Sequence, residues 1–218
     1  MSLFHSPSLV TSGLVLCLDA GNAKSYPGSG TTWTDLSGNG NTGTLTNGPT
    51  YSSANGGSIV FDGVNDYVGL TAGLLSGTGD FTVSQWIQSS SIGSGIHAFG
   101  NYPAGNLQMF FASSAVGMWL GNSSAYANEA THYTASWVMF TCLRSGTVTQ
   151  VYKNETLIQT GSSDSTIGGT GAAFRLGGNT NNVEWYTGKI GTTNVYNRAL
   201  SAAEVKQNFN ALRGRYGV

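Results

Sequence analysis

The chain has 218 residues, 9% of them charged, and a formal net charge of −1. Because binding to phosphate backbones requires a basic face, this composition argues against a nucleic-acid partner. Glycine accounts for 32 residues, far above its usual share. Such a length and composition favour one domain of many short strands joined by tight turns, rather than a helical fold.

The first twelve residues, MSLFHSPSLVTS, lack the basic start and long apolar run of a secretory signal. The longest early apolar run, residues 14–18, is far too short to cross a bilayer, so we expect no membrane partner. We interpret residues 1–12 as an N-terminal arm, which either docks onto a capsid or a neighbouring subunit, or frays. Residues 13–218 are expected to form a single domain.

Apolar runs of strand length recur along the chain, separated by Gly, Pro and Asn. Many short strands with such punctuation predict an all-β antiparallel sandwich or jelly roll. In residues 81–88, Phe81, Val83 and Ile87 share one face while Trp86 lies on the other. This near-alternation is typical of a half-buried antiparallel strand. The predicted strands cover residues 14–18, 59–61, 67–70, 81–87, 96–99, 107–112, 118–120, 137–143, 148–152, 156–159, 173–176 and 189–196.

In the middle of this series, the stretch SIVFDGVNDYVGL places Asp62, Asn65 and Asp66 between two predicted strands. Asp and Asn bond nearby backbone in turns, so we expect a turn here. The alternative is a calcium site, but Ca²⁺ requires six to eight oxygens and this segment supplies three at most. Asp19 and Asp35 could complete the shell if the fold brought them close.

One helical segment is predicted near the end of the chain, over about 202–213. Ser201 and Glu204 have the spacing of a capping box, in which each side chain bonds the other residue's backbone amide. Gly214 is the expected terminating residue. An apolar stripe runs along one face of this segment: Val205, Phe209 and Leu212.

Motifs of catalysis are lacking, and we expect no enzyme. Glycoside hydrolysis requires a pair of carboxylates, but the four Glu residues are scattered along the chain. The G-x-S-x-G motif of an acyl-transfer serine is also missing from the sequence. The GNGNTG stretch at 38–43 has no strand before it or helix after it, so we interpret it as a loop. Cys17 and Cys142 lie in apolar runs and are expected to be buried free thiols; the alternative is a disulfide, which requires the fold to bring their Cα atoms within about 7 Å.

Several aromatic residues lie in or beside Gly-, Ser- and Asn-rich stretches. Aromatic rings with amide neighbours can hold sugar rings, although most Trp and Tyr of a sandwich pack in its core. The candidates for glycan binding are Trp33, Tyr102, Trp119 and Tyr126, with Tyr133 in a similar stretch.

Five motifs occur together in order: GLVLCLDAGN, WTDLSGNGNTGTLTNGP, IVFDGVNDYV, FTVSQWI and VYNRALSAAEV. In this combination the chain resembles a laminin-G-like domain of the concanavalin-A-like lectin/glucanase superfamily, in the form found in tailed-phage structural proteins. The resemblance implies a jelly roll of two antiparallel sheets, with calcium at the rim in some relatives. The family's Tyr-x-Asn-Gly hairpin reads Tyr-Lys-Asn-Glu at 152–155, which leaves that turn type open.

The resemblance implies a non-enzymatic protein of the virion surface, a capsid decoration or cement protein. Its partners would be capsid or other virion proteins, and it could form homo-oligomers. The alternative is a carbohydrate-binding adhesion module of a phage fibre or bacterial surface protein, with a host-surface glycan as partner. No cofactor is expected other than the calcium of the alternative site at Asp62, Asn65 and Asp66.

Overall fold

A computed structural model of the chain describes residues 7–89, 96–101, 107–112, 115–121, 123–127, 136–168, 173–182 and 184–218. For residues 96–97, 111–112, 115 and 123–127 only the backbone is described. These parts of the chain form two antiparallel β-sheets, an α-helix and a short 3₁₀ turn at Ala54–Gly56. Within them, no helix combines the length and hydropathy needed to cross a membrane.

The described residues contain sixteen strands. In chain order they are β1 (Leu14–Asp19), β2 (Thr32–Trp33), β3 (Gly43–Thr46), β4 (Thr50–Ser52), β5 (Ser58–Asp62), β6 (Tyr67–Ala72), β7 (Phe81–Ser89), β8 (Ile96–Gly100), β9 (Leu107–Ala112), β10 (Ala115–Leu120), β11 (Ser123–Ala127), β12 (Val138–Ser145), β13 (Val148–Lys153), β14 (Thr156–Ser162), β15 (Ala173–Leu176) and β16 (Thr187–Tyr196). The helix, α1, follows at Ala202–Tyr216.

The two sheets contain eight strands each and pack face to face. Sheet A has the spatial order β14-β13-β12-β7-β16-β5-β4, and β1 also pairs with β16. Sheet B has the order β11-β10-β9-β8-β15-β6-β3-β2. Every pairing between these strands is antiparallel, which confirms the predicted sandwich.

Strand β7 is buried on both faces, not on one as its alternation predicted. Phe81, Val83 and Ile87 belong to the core between the sheets. Trp86 points the other way and belongs to a second apolar cluster, formed with residues of α1. Both faces of the strand are buried because α1 covers the outer face of sheet A.

The helix begins as the sequence predicted and ends later. The Ser201 hydroxyl accepts a hydrogen bond from the Glu204 amide at 3.3 Å, and the Glu204 carboxylate accepts one from the Ser201 amide at 2.9 Å. The prediction that Gly214 terminates the helix was wrong: Gly217 ends it, with a left-handed φ of 74°. The additional turn is stabilised because the Tyr216 ring stacks on sheet A.

The described part of the N-terminal arm packs against its own domain. Val10 is buried, and its amide donates to Asn208 Oδ1 of α1 at 2.9 Å. Its carbonyl accepts from the Tyr196 hydroxyl at 3.0 Å. Residues 1–6 lie outside the described residues, so docking of the arm onto a capsid or a neighbouring subunit stays a prediction.

Both cysteines are buried free thiols, as the apolar runs around them predicted. Burial raises the pKa of the Cys17 thiol to about 12, with Asp19 and Asp35 adding to the effect. Burial likewise raises the pKa of Cys142. Both side chains therefore stay protonated at neutral pH and behave as small apolar groups.

A pH-dependent stability follows from the helix cap. The Arg198 guanidinium donates to both Glu204 oxygens, at 2.9 and 2.6 Å, and together with the Ser201 amide it lowers the Glu204 pKa to about 2. A lowered pKa stabilises the fold above the ordinary pKa near 4.5, and this contribution is lost as the pH falls towards 2. We expect Glu204→Gln to lower the free energy of unfolding by about 1 kcal/mol at pH 7, and by much less near pH 2.

Urea unfolding at both pH values measures this difference. The matched control is Asp164→Asn, which removes one exposed carboxylate away from the helix cap. An equal loss at both pH values for Glu204→Gln would show that the cap does not depend on the ionised carboxylate.

Candidate functional site

Three connections cross between the two sheets at one end of the sandwich. They are residues 47–49 from β3 to β4, residues 62–66 from β5 to β6, and residues 177–186 from β15 to β16, of which residue 183 is not described. The Asn47 amide donates to the Asn65 carbonyl at 2.9 Å. A Cβ at Gly177 would lie 2.5 Å from the Phe61 ring of β5 and 3.1 Å from the Asp66 carbonyl oxygen, so the third connection packs directly on the second. We call this set the crossover rim.

The segment at 62–66 is a turn that bonds its own backbone. Asp62 Oδ1 accepts from the Val64 amide at 2.8 Å, and Asp66 Oδ2 accepts from the Asp62 amide at 3.1 Å. Asp66 is only 4% exposed. Burial is the main cause that raises the pKa of its carboxyl group.

The two aspartates that could have completed a calcium shell have other partners. Asp19 pairs with Arg215 at 3.0 and 2.5 Å. Asp35 Oδ1 accepts from the amides of Cys17 and Ser37 at 2.8 and 2.9 Å. Within the described parts of the chain, no group of three or more His, Cys, Asp or Glu side chains could hold a metal ion. This geometry favours the turn over the calcium site at Asp62, Asn65 and Asp66.

Beside the crossover rim, three half-buried side chains form an aromatic patch: Tyr67, Arg175 and Trp185. The Arg175 guanidinium carbon lies 4.1 Å from the Tyr67 ring centroid, a cation–π contact. The Tyr67 and Trp185 ring centroids are 6.3 Å apart, with their planes inclined by 25°. The patch thus presents two aligned rings and a guanidinium close to solvent.

The register of sheet B explains why Arg175 reaches Tyr67. Arg175 pairs with Gly69 of β6 on one side and with Gly100 of β8 on the other. Tyr67 lies two residues before Gly69, on the same face, and is therefore a diagonal neighbour within reach of a long side chain. Because glycine has no side chain, Gly69 leaves the surface between Arg175 and Tyr67 clear.

Hydrogen bonds to the third connection hold the guanidinium in place. Arg175 Nη1 donates to the Asn179 carbonyl at 2.9 Å and to Asn182 Oδ1 at 2.8 Å. The Asn179 amide donates in turn to Glu184 Oε2 at 2.7 Å. Asn182 and Glu184 are both exposed, so an amide and a carboxylate lie at the edge of the aromatic patch.

The backbone under the patch is unusual. Asn182 and Glu184 have left-handed φ values of 58° and 60°, which are uncommon for a glutamate. Trp185 lies over Gly178, where a Cβ would approach its ring to 2.5 Å. Only a glycine at position 178 allows the indole this position.

The predicted glycan-binding residues are not brought together. Trp33 is 0% exposed in the core, which corrects its assignment as a sugar contact, because its ring packs between the sheets. Tyr102 and Tyr133 lie outside the described residues, and Tyr126 is described only by its backbone on β11. Trp119 is 42% exposed, and its indole N–H donates to the Gly121 carbonyl.

Trp119 lies on the same outer face of sheet B as the aromatic patch. Trp119 pairs with Gln108, Gln108 with Gly100, and Gly100 with Arg175, in one transverse row. Three strand spacings separate Trp119 from Arg175, a distance of about 14 Å. Gln108 is only 6% exposed, so Trp119 and the aromatic patch are two separate accessible surfaces.

The sequence interpretation missed all three members of the aromatic patch. A signal for Trp185 was present, because the stretch GGNTNNVEWYTG at 177–188 has the same mixture of Gly, Asn and aromatic residues that singled out Trp119. No local signal joins Tyr67 and Arg175 to it, since only the strand order brings these segments together.

The turn at 62–66 generates a test of metal binding. We expect the thermal midpoint of unfolding to be the same in EDTA and in Ca²⁺, because the carboxylates already accept hydrogen bonds within the turn. Because the pKa of Asp66 is raised in the folded state, ionisation of this carboxyl group lowers the free energy of unfolding as the pH rises through its pKa. Asp66→Asn keeps an acceptor for the Asp62 amide and should retain or raise the midpoint at pH 7, whereas Asp66→Ala should lower the free energy of unfolding by about 1–3 kcal/mol.

A bound ion at ~100 times its dissociation constant would add about 2.7 kcal/mol, which a melting curve detects readily. A midpoint that rises with Ca²⁺ in the unmodified chain and not in Asp66→Asn would establish the calcium site and contradict the turn interpretation.

Solved structures with a similar fold include domain 4 of AbnA, a GH43 extracellular arabinanase from Geobacillus stearothermophilus, in complex with arabinotriose. It is 20% identical, with a TM-score of 0.67 over 90% of this chain and 98% of that chain. The binding domain of Paraclostridial Mosquitocidal Protein 1 is 16% identical, with a TM-score of 0.66 over 91% of this chain and 52% of that chain.

The ligand binding domain of botulinum neurotoxin serotype D, in complex with N-acetylneuraminic acid, is 13% identical. Its TM-score is 0.72 over 92% of this chain and 51% of that chain. The present chain thus spans about half of the length of both toxin domains. At these identities the likeness shows the fold alone.

Curated protein sequences give no match to the chain. A laminin-G family model, described as concanavalin A-like lectin/glucanases superfamily, matches residues 62–206, more than half of the chain. The matched region contains β6 to β16 and all three members of the aromatic patch. The chain is therefore a laminin-G-type member of the concanavalin A-like lectin/glucanases superfamily.

Proposed function

We propose that this protein is a non-catalytic carbohydrate-binding module that holds a neutral saccharide on the aromatic patch. The observation that carries the proposal is the pair of accessible rings, Tyr67 and Trp185, bordered by the exposed polar groups of Asn182 and Glu184. A sugar ring has an apolar C–H face that packs on aromatic rings, and hydroxyls that need hydrogen-bond partners. The patch offers both kinds of contact within one small surface.

The patch is held in its shape before any ligand arrives. Arg175 is bonded to the Asn179 carbonyl and the Asn182 side chain, and it lies against the Tyr67 ring. Trp185 rests on the Gly178 backbone. Side chains that are already ordered lose little further freedom on binding, so more of the contact energy becomes affinity.

The electrostatics favour a neutral saccharide over an acidic one. Arg175 Nη1 already donates to two protein acceptors, and the guanidinium lies over the Tyr67 ring. The exposed Glu184 carboxylate would repel an anionic sugar and can accept hydrogen bonds from hydroxyl groups. A neutral ligand therefore fits the charges at this surface.

The comparisons support a binding role to different extents. The arabinanase domain is matched over almost its whole length, and its structure contains arabinotriose. The toxin binding domains are matched over half their length, so the N-acetylneuraminic acid of the neurotoxin structure carries less weight here. The two toxin domains are named as binding domains, which supports a non-catalytic module. Nothing in the comparisons favours the capsid decoration role or a location on the virion surface, which stay predictions.

Titration with arabinotriose and a panel of other neutral oligosaccharides tests the proposal by calorimetry or NMR. We expect saturable binding that Tyr67→Ala and Trp185→Ala each weaken on the order of tenfold, because each removes a stacking ring. Trp119→Ala is the matched control, since it removes an exposed indole from the same sheet outside the patch.

Two outcomes would contradict the proposal. If no neutral oligosaccharide bound, the module would have another ligand class. If Trp119→Ala abolished binding and Trp185→Ala did not, the sugar would lie at Trp119, as the sequence suggested, and not on the aromatic patch. Melting curves of all three variants separate loss of binding from loss of fold.

A further inference from the structure

A cleft of about 440 Å³ lies between α1 and the hairpin of β13 and β14. Sheet A carries it, whereas the aromatic patch belongs to sheet B. The half-buried Ile158 supplies apolar surface, the buried Phe209 lies at the floor, and the charged side chains are Lys153, Glu155 and Arg213. We call this the hairpin cleft.

Arg213 differs from the other arginines of the chain. Each of the others donates hydrogen bonds to carbonyl or carboxylate groups: Arg144, Arg175, Arg198 and Arg215. The Arg213 guanidinium carbon lies 5.9 Å from the Phe209 ring centroid, and no residue of the described chain bonds or pairs with it. The Arg213 side chain is exposed, so its guanidinium donors remain available to a ligand beside the hairpin cleft.

The charge balance of the hairpin cleft is positive. Glu155, the one acidic residue among its described lining, pairs with Lys206 at 3.1 Å. Lys153 forms no ion pair with any described residue. With Glu155 and Lys206 balancing each other, Lys153 and Arg213 leave two uncompensated positive charges, although the whole chain has a net charge of −1.

The rim of the hairpin cleft is rigid and polar. Asn154 adopts a left-handed φ of 57° in the tight turn between β13 and β14. Its amide donates to the Met139 carbonyl at 2.7 Å, and its side-chain oxygen accepts from the Met139 amide at 3.0 Å. The exposed Thr156 lies beside it in the lining. These contacts fix the position of the hairpin against sheet A.

We propose that the hairpin cleft is a second binding site, which takes the carboxylate of an acidic sugar unit. Arg213 and Lys153 supply charge-assisted hydrogen bonds to the carboxylate. The ring's C–H face lies against the half-buried Ile158, and its hydroxyls bond to Asn154 and Thr156. An acidic sugar combines these three features, whereas a simple inorganic anion uses only the charges.

A positive residue in the last turn of a helix also stabilises the helix dipole. This role alone would change stability on substitution and would not make Arg213 select between acidic and neutral ligands. Ligand selectivity is therefore the measurement that distinguishes the two roles. The site is separate from the aromatic patch, so its failure and that of the neutral-sugar site are distinguishable.

The test is an NMR titration of the full chain with trigalacturonic acid and, in parallel, with the neutral galactose trisaccharide. We expect the acidic trisaccharide to shift the amides of β13, β14 and the last turn of α1, and the neutral one to leave them unchanged. Arg213→Gln and Lys153→Gln should each weaken binding on the order of tenfold. Raising the ionic strength should also weaken the binding of the acidic trisaccharide to the unmodified chain.

Two variants act as controls. Glu155→Gln removes the acidic group of the cleft and should strengthen binding severalfold, an effect that a damaged fold would not produce. Lys24→Gln removes an exposed positive charge outside the cleft and should leave binding unchanged.

Three results would overturn the proposal. The first is equal binding of the acidic and neutral trisaccharides. The second is an affinity for the acidic one that Arg213→Gln and Lys153→Gln do not change. The third is binding of inorganic phosphate at the same amides as tightly as the acidic trisaccharide, which would show an anion site without sugar recognition.

Discussion

The stacking of α1 on Trp86 determines which surfaces of this sandwich remain accessible. The Trp86 ring lies 4.4 Å from the Tyr216 ring and 5.6 Å from the Phe209 ring, between centroids, with nearly parallel planes. Trp86 belongs to β7, which lies between β12 and β16 in sheet A. Because the helix turns the outer face of this sheet into a second core, the exposed aromatic residues of a binding surface are found on sheet B.

Because the chain has few charged residues, the partners of each one show whether it stabilises the fold or is available to bind a ligand. Arg144 donates to backbone carbonyls, Arg198 pairs with Glu204, and Arg215 pairs with Asp19. These interactions hold the ends of strands and the helix in place, and they leave few charges for recognition. The exposed Glu184 beside the aromatic patch and the exposed Arg213 beside the hairpin cleft have opposite signs, so the two surfaces favour ligands of different charge.

Local patterns predicted the strands and the capping box because alternation and cap spacing are encoded within a few residues. The helix end was missed because Tyr216 is held by stacking on Trp86, a residue 130 positions away in sequence. Trp33 and Trp185 both lie in sequence stretches rich in small polar residues. Trp33 is nevertheless in the core, whereas Trp185 is at the surface. Only the pairing of distant strands, which composition does not encode, separates them.

The chain enters and leaves the described fold on the same side of the sandwich. The chain enters the described fold at residues 7–12, whose backbone bonds to Asn208, Tyr196 and Arg198, and it leaves through α1. Residues 7–12 and the end of α1 therefore lie on the sheet A side, opposite to the aromatic patch. A particle, a bead or a neighbouring domain joined after α1 would leave the aromatic patch facing outward, so tethering and ligand capture need not compete for the same surface.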